Sequence, residues 1–189
     1  MMAGNIARSA FRAAVFSFSA IITTASLAET TSASIPAPSS ELLQSIQTLD
    51  RAWDASDLGF TNATFAVSPA TGYGQYQKRP SNVFTADDTL TIYAEPVGYG
   101  FEKTENGYRH DLEVSYSLLN MTGQVLATQS SFTRFSGEAQ DRKRELPTNL
   151  SFQFQGLPTG HYVIEAAYAD KLSAKTATLS LPFAIEAAE

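Results

Sequence analysis

The sequence predicts an all-β fold, in which seven antiparallel strands form two packed sheets behind one short helix. From Leu58 onward, apolar and polar residues alternate along successive runs, as they do in strands with one buried and one solvated face. Turn-forming residues separate the runs, and the turn NMTG at Asn120–Gly123 joins two of them into a hairpin. The predicted strands cover residues 58–67, 88–95, 108–119, 124–135, 149–155, 161–169 and 175–185.

A helical period precedes the alternating runs. Four apolar residues lie at spacings of four, three and four, and therefore share one helical face: Leu42, Ile46, Leu49 and Trp53. This spacing predicts a helix over residues 41–54, with Ser39 or Ser40 as its N-cap. The apolar face favours a helix that folds onto its own domain, and it leaves open a helix that docks on a partner. The sandwich domain then covers residues 58–189.

The first 28 residues have the three parts of a secretory signal peptide. Arg8 and Arg12 provide a basic start without acidic residues, and residues 13–27 form an apolar run. The run is shorter and richer in Ser and Thr than a membrane-spanning helix of roughly 20 apolar residues. Small side chains precede the expected cut after Ala28, and a cut after Ala33 is the nearest alternative. The alanine-rich composition is typical of a bacterial signal.

The remaining composition restricts the function classes. Residues 29–40 are rich in Ser, Thr, Ala and Pro, and we expect a flexible linker there. The chain has a net charge of −6, which becomes more negative once the two signal arginines are removed. Such an acidic chain lacks the positive surface that binds nucleic acid or anionic membranes. Because cysteine is absent, disulfides and thiol chemistry are excluded. We predict a periplasmic or secreted protein with no membrane span after cleavage.

The stretch GLPTGHY at Gly156–Tyr162 resembles the tyrosine corner of fibronectin type III-like and other immunoglobulin-like sandwiches. The resemblance implies that Leu157 closes the end of the core, that Gly160 belongs to the turn, and that the Tyr162 hydroxyl bonds back to the preceding loop. The chain from there to the last strand is similar to the closing hairpin of bacterial extracytoplasmic sandwich domains. The resemblance lacks the cysteine pair of antibody domains, and it implies an immunoglobulin-like fold rather than a function.

Residues suited to catalysis form no recognisable motif. His110 and His161 each begin a predicted strand, and no known motif places an acid or a hydroxyl beside them, so structural or surface roles are favoured. The nucleophile motifs of serine hydrolases are absent from the sequence. Metal-ligand spacings are also absent, and the adjacent Asp87 and Asp88 fit a solvated turn. We therefore predict no catalysis, no cofactor and no metal.

Aromatic residues near two loops provide the candidate ligand site. Tyr73 and Tyr76 lie in GYGQYQKRP, and Glu95 and Tyr99 lie in IYAEPVGYGF. Tyrosines on glycine-flanked loops can stack on sugar rings or hold an extended peptide. The favoured interpretation of IYAEPVGYGF is that a strand ends there, because proline cannot donate to the ladder and the glycines release the chain from it. Within that strand, Tyr93 and Glu95 share the outward face.

These patterns predict an exported, non-catalytic interaction module of the bacterial periplasm or cell envelope, with an envelope protein or a glycan as its partner. The alternative is a carbohydrate- or peptidoglycan-binding module that uses Tyr73, Tyr76 and Tyr99, and a hydrolase is a more distant one. An interaction module should present an apolar patch or an open strand edge. A glycan binder should show coplanar exposed tyrosines, and an enzyme a concave pocket with convergent titratable groups.

Overall fold

A computed structural model describes residues 34–187 of the chain as one helix followed by nine strands. The predicted signal peptide, its two candidate cut sites and the first residues of the predicted linker lie outside the described residues. The described residues from Pro38 onward belong to one compact unit. Its elements are α1 (Ser40–Ala55), β1 (Gly59–Ala66), β2 (Val83–Thr85), β3 (Leu90–Val97), β4 (Glu102–Lys103), β5 (Tyr108–Asn120), β6 (Val125–Ala139), β7 (Thr148–Phe152), β8 (Gly160–Asp170) and β9 (Thr176–Glu186).

Each of the seven predicted runs overlaps a strand, and these strands are β1, β3 and β5 to β9. β3 continues past its predicted end through Pro96 to Val97, and β6 continues four residues past its predicted end to Ala139. The predicted number of strands is too low, because β2 and β4 are also present in the described part of the chain. These two strands have three and two residues. Strands this short show no alternating pattern, so the period of two could not reveal them.

The strands form two sheets, as predicted for an all-β sandwich. The smaller sheet has the order β1–β3–β7, and the larger has the order β2–β9–β8–β5–β4, with β6 pairing to β5. Every pair is antiparallel except β2 with β9. In the described residues β6 pairs only with β5 and therefore lies at an edge of its sheet.

The core lies on the inward faces that the alternation predicts. Leu90, Ile92 and Ala94 on β3 are buried, and so are Leu112 and Val114 on β5. A fully buried aliphatic side chain contributes roughly 1.5–3 kcal/mol to stability. Because the chain has no disulfide, this burial is the main source of its stability. Three aromatic rings meet edge to face in the same core: Phe65, Phe84 and Phe183.

The two halves of α1 have different surroundings. The helix begins after Ser39, whose side-chain oxygen accepts the Leu42 N–H at 3.2 Å. At the other end, Trp53 is buried with 9% of its surface exposed. Leu42, Ile46 and Leu49 remain 42–52% exposed, although they share the Trp53 face by spacing. The helix therefore packs on the sandwich through its C-terminal half.

Tyr162, near the start of β8, forms the hydrogen bond that GLPTGHY predicts. Its hydroxyl donates to the Pro158 carbonyl at 2.7 Å, and its ring is buried against Phe183. A Cβ at Gly160 would lie 3.4 Å from the Tyr162 hydroxyl, so this glycine lies against the ring. Leu157 is half-buried and packs against the core. Together these contacts attach the β7–β8 connection to the end of the sandwich.

Tyr162→Phe should lower the free energy of unfolding by about 1 kcal/mol, because it removes one partly buried hydrogen bond and keeps the ring. Urea unfolding of both proteins measures the difference. Tyr116→Phe is the matched control, since the Tyr116 hydroxyl bonds to none of the described residues. Equal losses in the two variants, or none in Tyr162→Phe, would contradict the structural role of this hydroxyl.

Candidate functional site

The outer face of the smaller sheet is covered by the chain between β1 and β2. We call residues 67–79 the covering loop. One side chain from each strand of the sheet attaches it: Asn62 on β1, Tyr93 on β3 and Asn149 on β7. These three lie on one face, because Tyr93 is directly opposite Asn149 and Glu95 is opposite Asn62 in the sheet register. The bonds are Asn62 to the Tyr76 hydroxyl, the Gly74 N–H to the Tyr93 hydroxyl (2.7 Å), and Asn149 to both backbone groups of Ala70 (2.8 and 3.2 Å).

A buried polar pair lies beneath the covering loop. The Tyr93 hydroxyl donates to Glu95 Oε1 at 2.6 Å, and the Thr61 hydroxyl donates to Glu95 Oε2 at 3.0 Å. Glu95 is 8% exposed and Tyr93 is fully buried. Burial, followed by the bond to Glu95, raises the pKa of Tyr93 to about 12. The phenol therefore stays protonated at neutral pH and serves as a permanent donor to the carboxylate.

The loop tyrosines pack against this pair. The Tyr76 ring stacks on the Tyr93 ring, with centroids 4.2 Å apart and an interplanar angle of 18°. Tyr73 and Tyr76 are both half-buried. Of the four predicted ligand residues, Tyr76 and Glu95 are thus brought together through Tyr93, and one face of Tyr76 is already occupied. Tyr76 therefore occupies the face of the Tyr93 ring on which a sugar ring could otherwise stack.

Tyr99 has a different environment and is fully buried. Its ring meets Trp53 edge to face at 5.2 Å, and its hydroxyl donates to the Lys143 carbonyl. The cause is Gly98, which has φ +77° and turns the chain inward after β3; a Cβ there would lie 2.2 Å from the Asp57 carbonyl oxygen. Burial also raises the pKa of Tyr99. The prediction that Tyr99 contacts a ligand is therefore not supported by its position, since its side chain offers no exposed surface.

The same region holds the C-terminal half of α1 in place. The Trp53 indole N–H donates to the Tyr99 carbonyl at 2.8 Å. The Lys175 ammonium donates to the carbonyls of Gly98 (2.9 Å) and Asp54 (3.2 Å). On the polar side of the helix, Asp54 pairs with Arg142 at 3.0 Å, and Asp50 pairs with Arg144. Packing, hydrogen bonds and ion pairs together fix the direction of the helix.

The N-terminal half of α1 carries an uncovered apolar surface. We define the helix face as Leu42, Leu43, Ile46 and Leu49, which are 42–52% exposed. Leu43 was not among the residues predicted to lie on this stripe. It extends the stripe sideways, because it is adjacent to Leu42 and three residues from Ile46. Four large aliphatic side chains on two helical turns make a continuous apolar patch.

The two histidines occupy dissimilar sites. His110 is buried on the inward face of β5, with its ring centroid 6.0 Å from that of Tyr99, whereas His161 is exposed on β8. Burial, and then the nearby Lys143 charge, lowers the pKa of His110. Asp111 is the next residue along the strand, so it points to the opposite face, where Arg134 holds it with a 2.6 Å hydrogen bond. That bond lowers the pKa of Asp111. No nucleophile and base are paired at either histidine within the described residues.

The other surfaces of residues 34–187 show no group of side chains arranged for catalysis or for metal binding. A cleft of about 400 Å³ lies beside α1, and its arginines are engaged in the ion pairs that attach the helix. In the range that the structure describes, no three acidic or histidine side chains are grouped as a metal site. No helix in the same range is long and apolar enough to cross a membrane.

No family model matches this chain, and no curated protein matches it.

Sequence reasoning missed the residues that attach the covering loop. Asn62, Asn149 and Thr61 lie at polar positions of predicted strands, and such positions indicate only a face that is not core. The sequence separation between Asn149 and Ala70 also hides their pairing. A loop rich in Gly and Tyr next to a strand with two large outward side chains was the one available indication.

Tyr93→Phe should destabilise the protein by about 1–3 kcal/mol, because it removes a donor from the buried Glu95 carboxylate and an acceptor from the Gly74 N–H. We expect faster hydrogen exchange at Gly74 and its loop neighbours than elsewhere in the sheet. Urea unfolding and amide exchange measure the two effects. Tyr73→Phe keeps both groups bonded and should change neither quantity. Unchanged exchange at Gly74 in Tyr93→Phe would refute the attachment.

His110 should make stability fall as the pH drops below about 6.5, the ordinary histidine pKa. The pKa of His110 in the folded protein is lower than in the unfolded chain. At a pH between these two pKa values the unfolded chain binds more protons than the folded protein, so the free energy of unfolding falls as the pH drops. This fall ends once the pH is below the folded-state pKa. The slope has a ceiling of about 1.4 kcal/mol per pH unit. His110→Gln should remove this dependence, whereas the exposed His161→Gln should keep it. Unfolding curves from pH 7.5 to 4.5 test this, and parallel curves for wild type and His110→Gln would contradict it.

Proposed function

We propose that this protein is a non-catalytic interaction module of the bacterial periplasm or cell envelope, and that it binds a protein partner through the helix face. The observation that carries the proposal is the exposure of Leu42, Leu43, Ile46 and Leu49 on a helix whose direction is fixed. Monomeric proteins rarely leave such contiguous apolar patches in water without a use. An amphipathic helix with anchors at i, i+4 and i+7 fits the apolar groove of a partner.

The charges around the helix face favour a protein over a lipid surface. Glu41, Asp50 and Asp54 lie on the same helix, with Arg51 as its single basic residue. Helices that bind membrane surfaces carry Lys and Arg on their polar side. Asp50 and Asp54 are already paired with Arg142 and Arg144, so the polar side of α1 presents no excess of positive charge to an anionic lipid surface.

The fold proposal is an immunoglobulin-like sandwich exported by a cleaved signal peptide. Three features support it: a three-stranded sheet β1–β3–β7, a second sheet in which the β8–β9 hairpin pairs with β5, and the Tyr162–Pro158 bond at the start of the penultimate strand. A basic, then apolar, N-terminal segment supports export, and with it the proposal of a periplasmic or secreted mature chain.

The geometry gives less support to the other two classes. A glycan-binding module would use Tyr73, Tyr76 and Tyr99 as a platform, yet Tyr99 is buried and Tyr76 is stacked on Tyr93. A hydrolase would need titratable groups that converge on a pocket. The perturbed groups Tyr93, His110 and Asp111 instead have structural neighbours that account for their positions.

A photo-crosslinking amino acid at position 46 should capture one envelope protein in living cells, because this position is central in the helix face. The same group at position 48, on the opposite side of the helix, should capture nothing. Adding Leu42→Gln and Leu49→Gln to the position 46 probe should remove the adduct, while circular dichroism and melting remain unchanged. Identical adducts at both positions, or retention on purified peptidoglycan without any adduct, would overturn the proposal.

A further inference from the structure

The edge strand β6 is long and largely exposed. It has 15 residues, and no hydrogen bond joins its backbone to another element except β5 in the described part of the chain. It contains neither lysine nor proline, the residues that commonly prevent pairing at an edge. A free edge of this kind is a template for one more strand.

Only one part of β6 has a regular geometry. Register shifts interrupt its pairing with β5 at Val114/Tyr116 and again at Leu118/Leu119, and Ser131 has φ +49°. From Thr133 to Ala139 each residue pairs in unbroken register with β5. Within this segment Arg134, Ser136 and Glu138 are exposed, and the residues between them are half-buried. An added strand would therefore find seven regular residues with alternating faces.

We propose that this edge pairs with a second copy of the same chain, antiparallel, with the twofold axis at Ser136. In that register Arg134 lies directly opposite Glu138 of the second copy, and Glu138 lies opposite the second copy's Arg134. Nε and Nη2 of Arg134 donate to Asp111 of their own chain, which leaves Nη1 for Glu138 of the second copy. Glu138 accepts from Thr104 through Oε1, which leaves Oε2 for the pair. Both pairs fall on the exposed face, where opposite charges across strands stabilise a sheet by roughly 0.2–1 kcal/mol each. A twofold contact of this type is self-complementary and closes at a dimer.

The charges on neighbouring strands continue the pattern. Within one chain, Glu102 is opposite Arg109, and Arg109 is opposite Glu138. Glu113 is opposite Arg134, and Lys171 reaches Glu113 at 3.4 Å. A dimer with its axis at Ser136 therefore has a row of strictly alternating charge across the joined sheet, from Glu102 of one copy to Lys171 of the other. No like charges meet along this row.

The half-buried face of the segment is also self-complementary. Pairing about Ser136 places Phe135 opposite Gly137 of the second copy, and Thr133 opposite Ala139. A large ring then faces a residue without a side chain, in a sheet where opposite side chains are only about 5 Å apart. Because a seven-residue strand pair is smaller than the ~1,600 Å² of a standard interface, the dimer should be weak, with dissociation in the micromolar range or above.

Ser136→Cys tests the register directly, because the chain has no cysteine of its own. Residues opposite each other on antiparallel strands have Cα atoms roughly 4.5–5.5 Å apart, which is within the span of a disulfide. Mild oxidation of the chain from residue 29 onward should therefore give a covalent dimer. Thr128→Cys is the matched control: it is an exposed residue of the same strand, but lies beyond the end of the partner strand in this register, and should stay monomeric.

Sedimentation equilibrium up to about 1 mM measures the wild-type dimer. Glu138→Lys should weaken it at least tenfold, since Lys then faces Arg134 of the second copy, whereas Glu186→Lys makes the same charge change on β9 and should leave it unchanged. A wild-type monomer at all concentrations, or equal cross-linking at positions 136 and 128, would overturn the proposal. A photo-crosslinker at position 136 that captures a different protein, with no dimer detected, would also overturn the proposal, because β6 would then pair with that protein.

Discussion

Strand β3 is covered on both faces, and the positions of the covering loop, the core and α1 follow from that burial. Its inward residues Leu90, Ile92 and Ala94 pack in the core, and its outward residues Tyr93 and Glu95 are almost as inaccessible. A buried carboxylate is costly unless donors replace the water it loses. The fold supplies two donors, the Tyr93 hydroxyl on the strand itself and the Thr61 hydroxyl on β1. The Gly74 N–H of the covering loop in turn donates to the Tyr93 hydroxyl, so the loop is attached to the same buried group.

The irregularity in β1 is part of this arrangement. The β1–β3 register shifts between Phe60 and Asn62, so Thr61 is the extra residue of a bulge. Its hydroxyl donates to Glu95 as a result. At its other end β3 stops at Gly98, which directs Tyr99 beneath Trp53 and sets the direction of α1. The end of β3 thus helps to hold the C-terminal half of α1, because Tyr99 packs against the Trp53 ring and its carbonyl accepts the indole N–H.

The sequence alone predicts those parts of the fold that depend on local pattern. Alternation locates the seven longer strands, the 4-3-4 spacing locates α1, and GLPTGHY predicts the Tyr162 hydrogen bond. The candidate site is predicted less well, because it depends on contacts between distant segments. An outward tyrosine on β3 is compatible with a ligand surface or with a covering loop, and only contacts between distant segments, such as Asn149 with Ala70 and Tyr93 with Gly74, decide between them. The burial of Tyr99 depends on a single backbone angle at Gly98, which composition does not reveal.

The two halves of β6 differ in how readily their exposed edge can pair with another strand. Bulges at and before Ser131 twist the first half away from regular pairing, which is how natural sheets avoid indiscriminate association. The second half is regular, and its charges select one register. A slip of two residues places Arg134 or Glu138 opposite Ser136 and removes both ion pairs. A slip of four places Arg134 opposite another Arg134, or Glu138 opposite another Glu138, and odd slips bring exposed residues opposite half-buried ones. Charge and side-chain alternation therefore favour the antiparallel pair centred on Ser136 and disfavour the shifted registers. The edge can thus remain exposed without becoming a general site of aggregation.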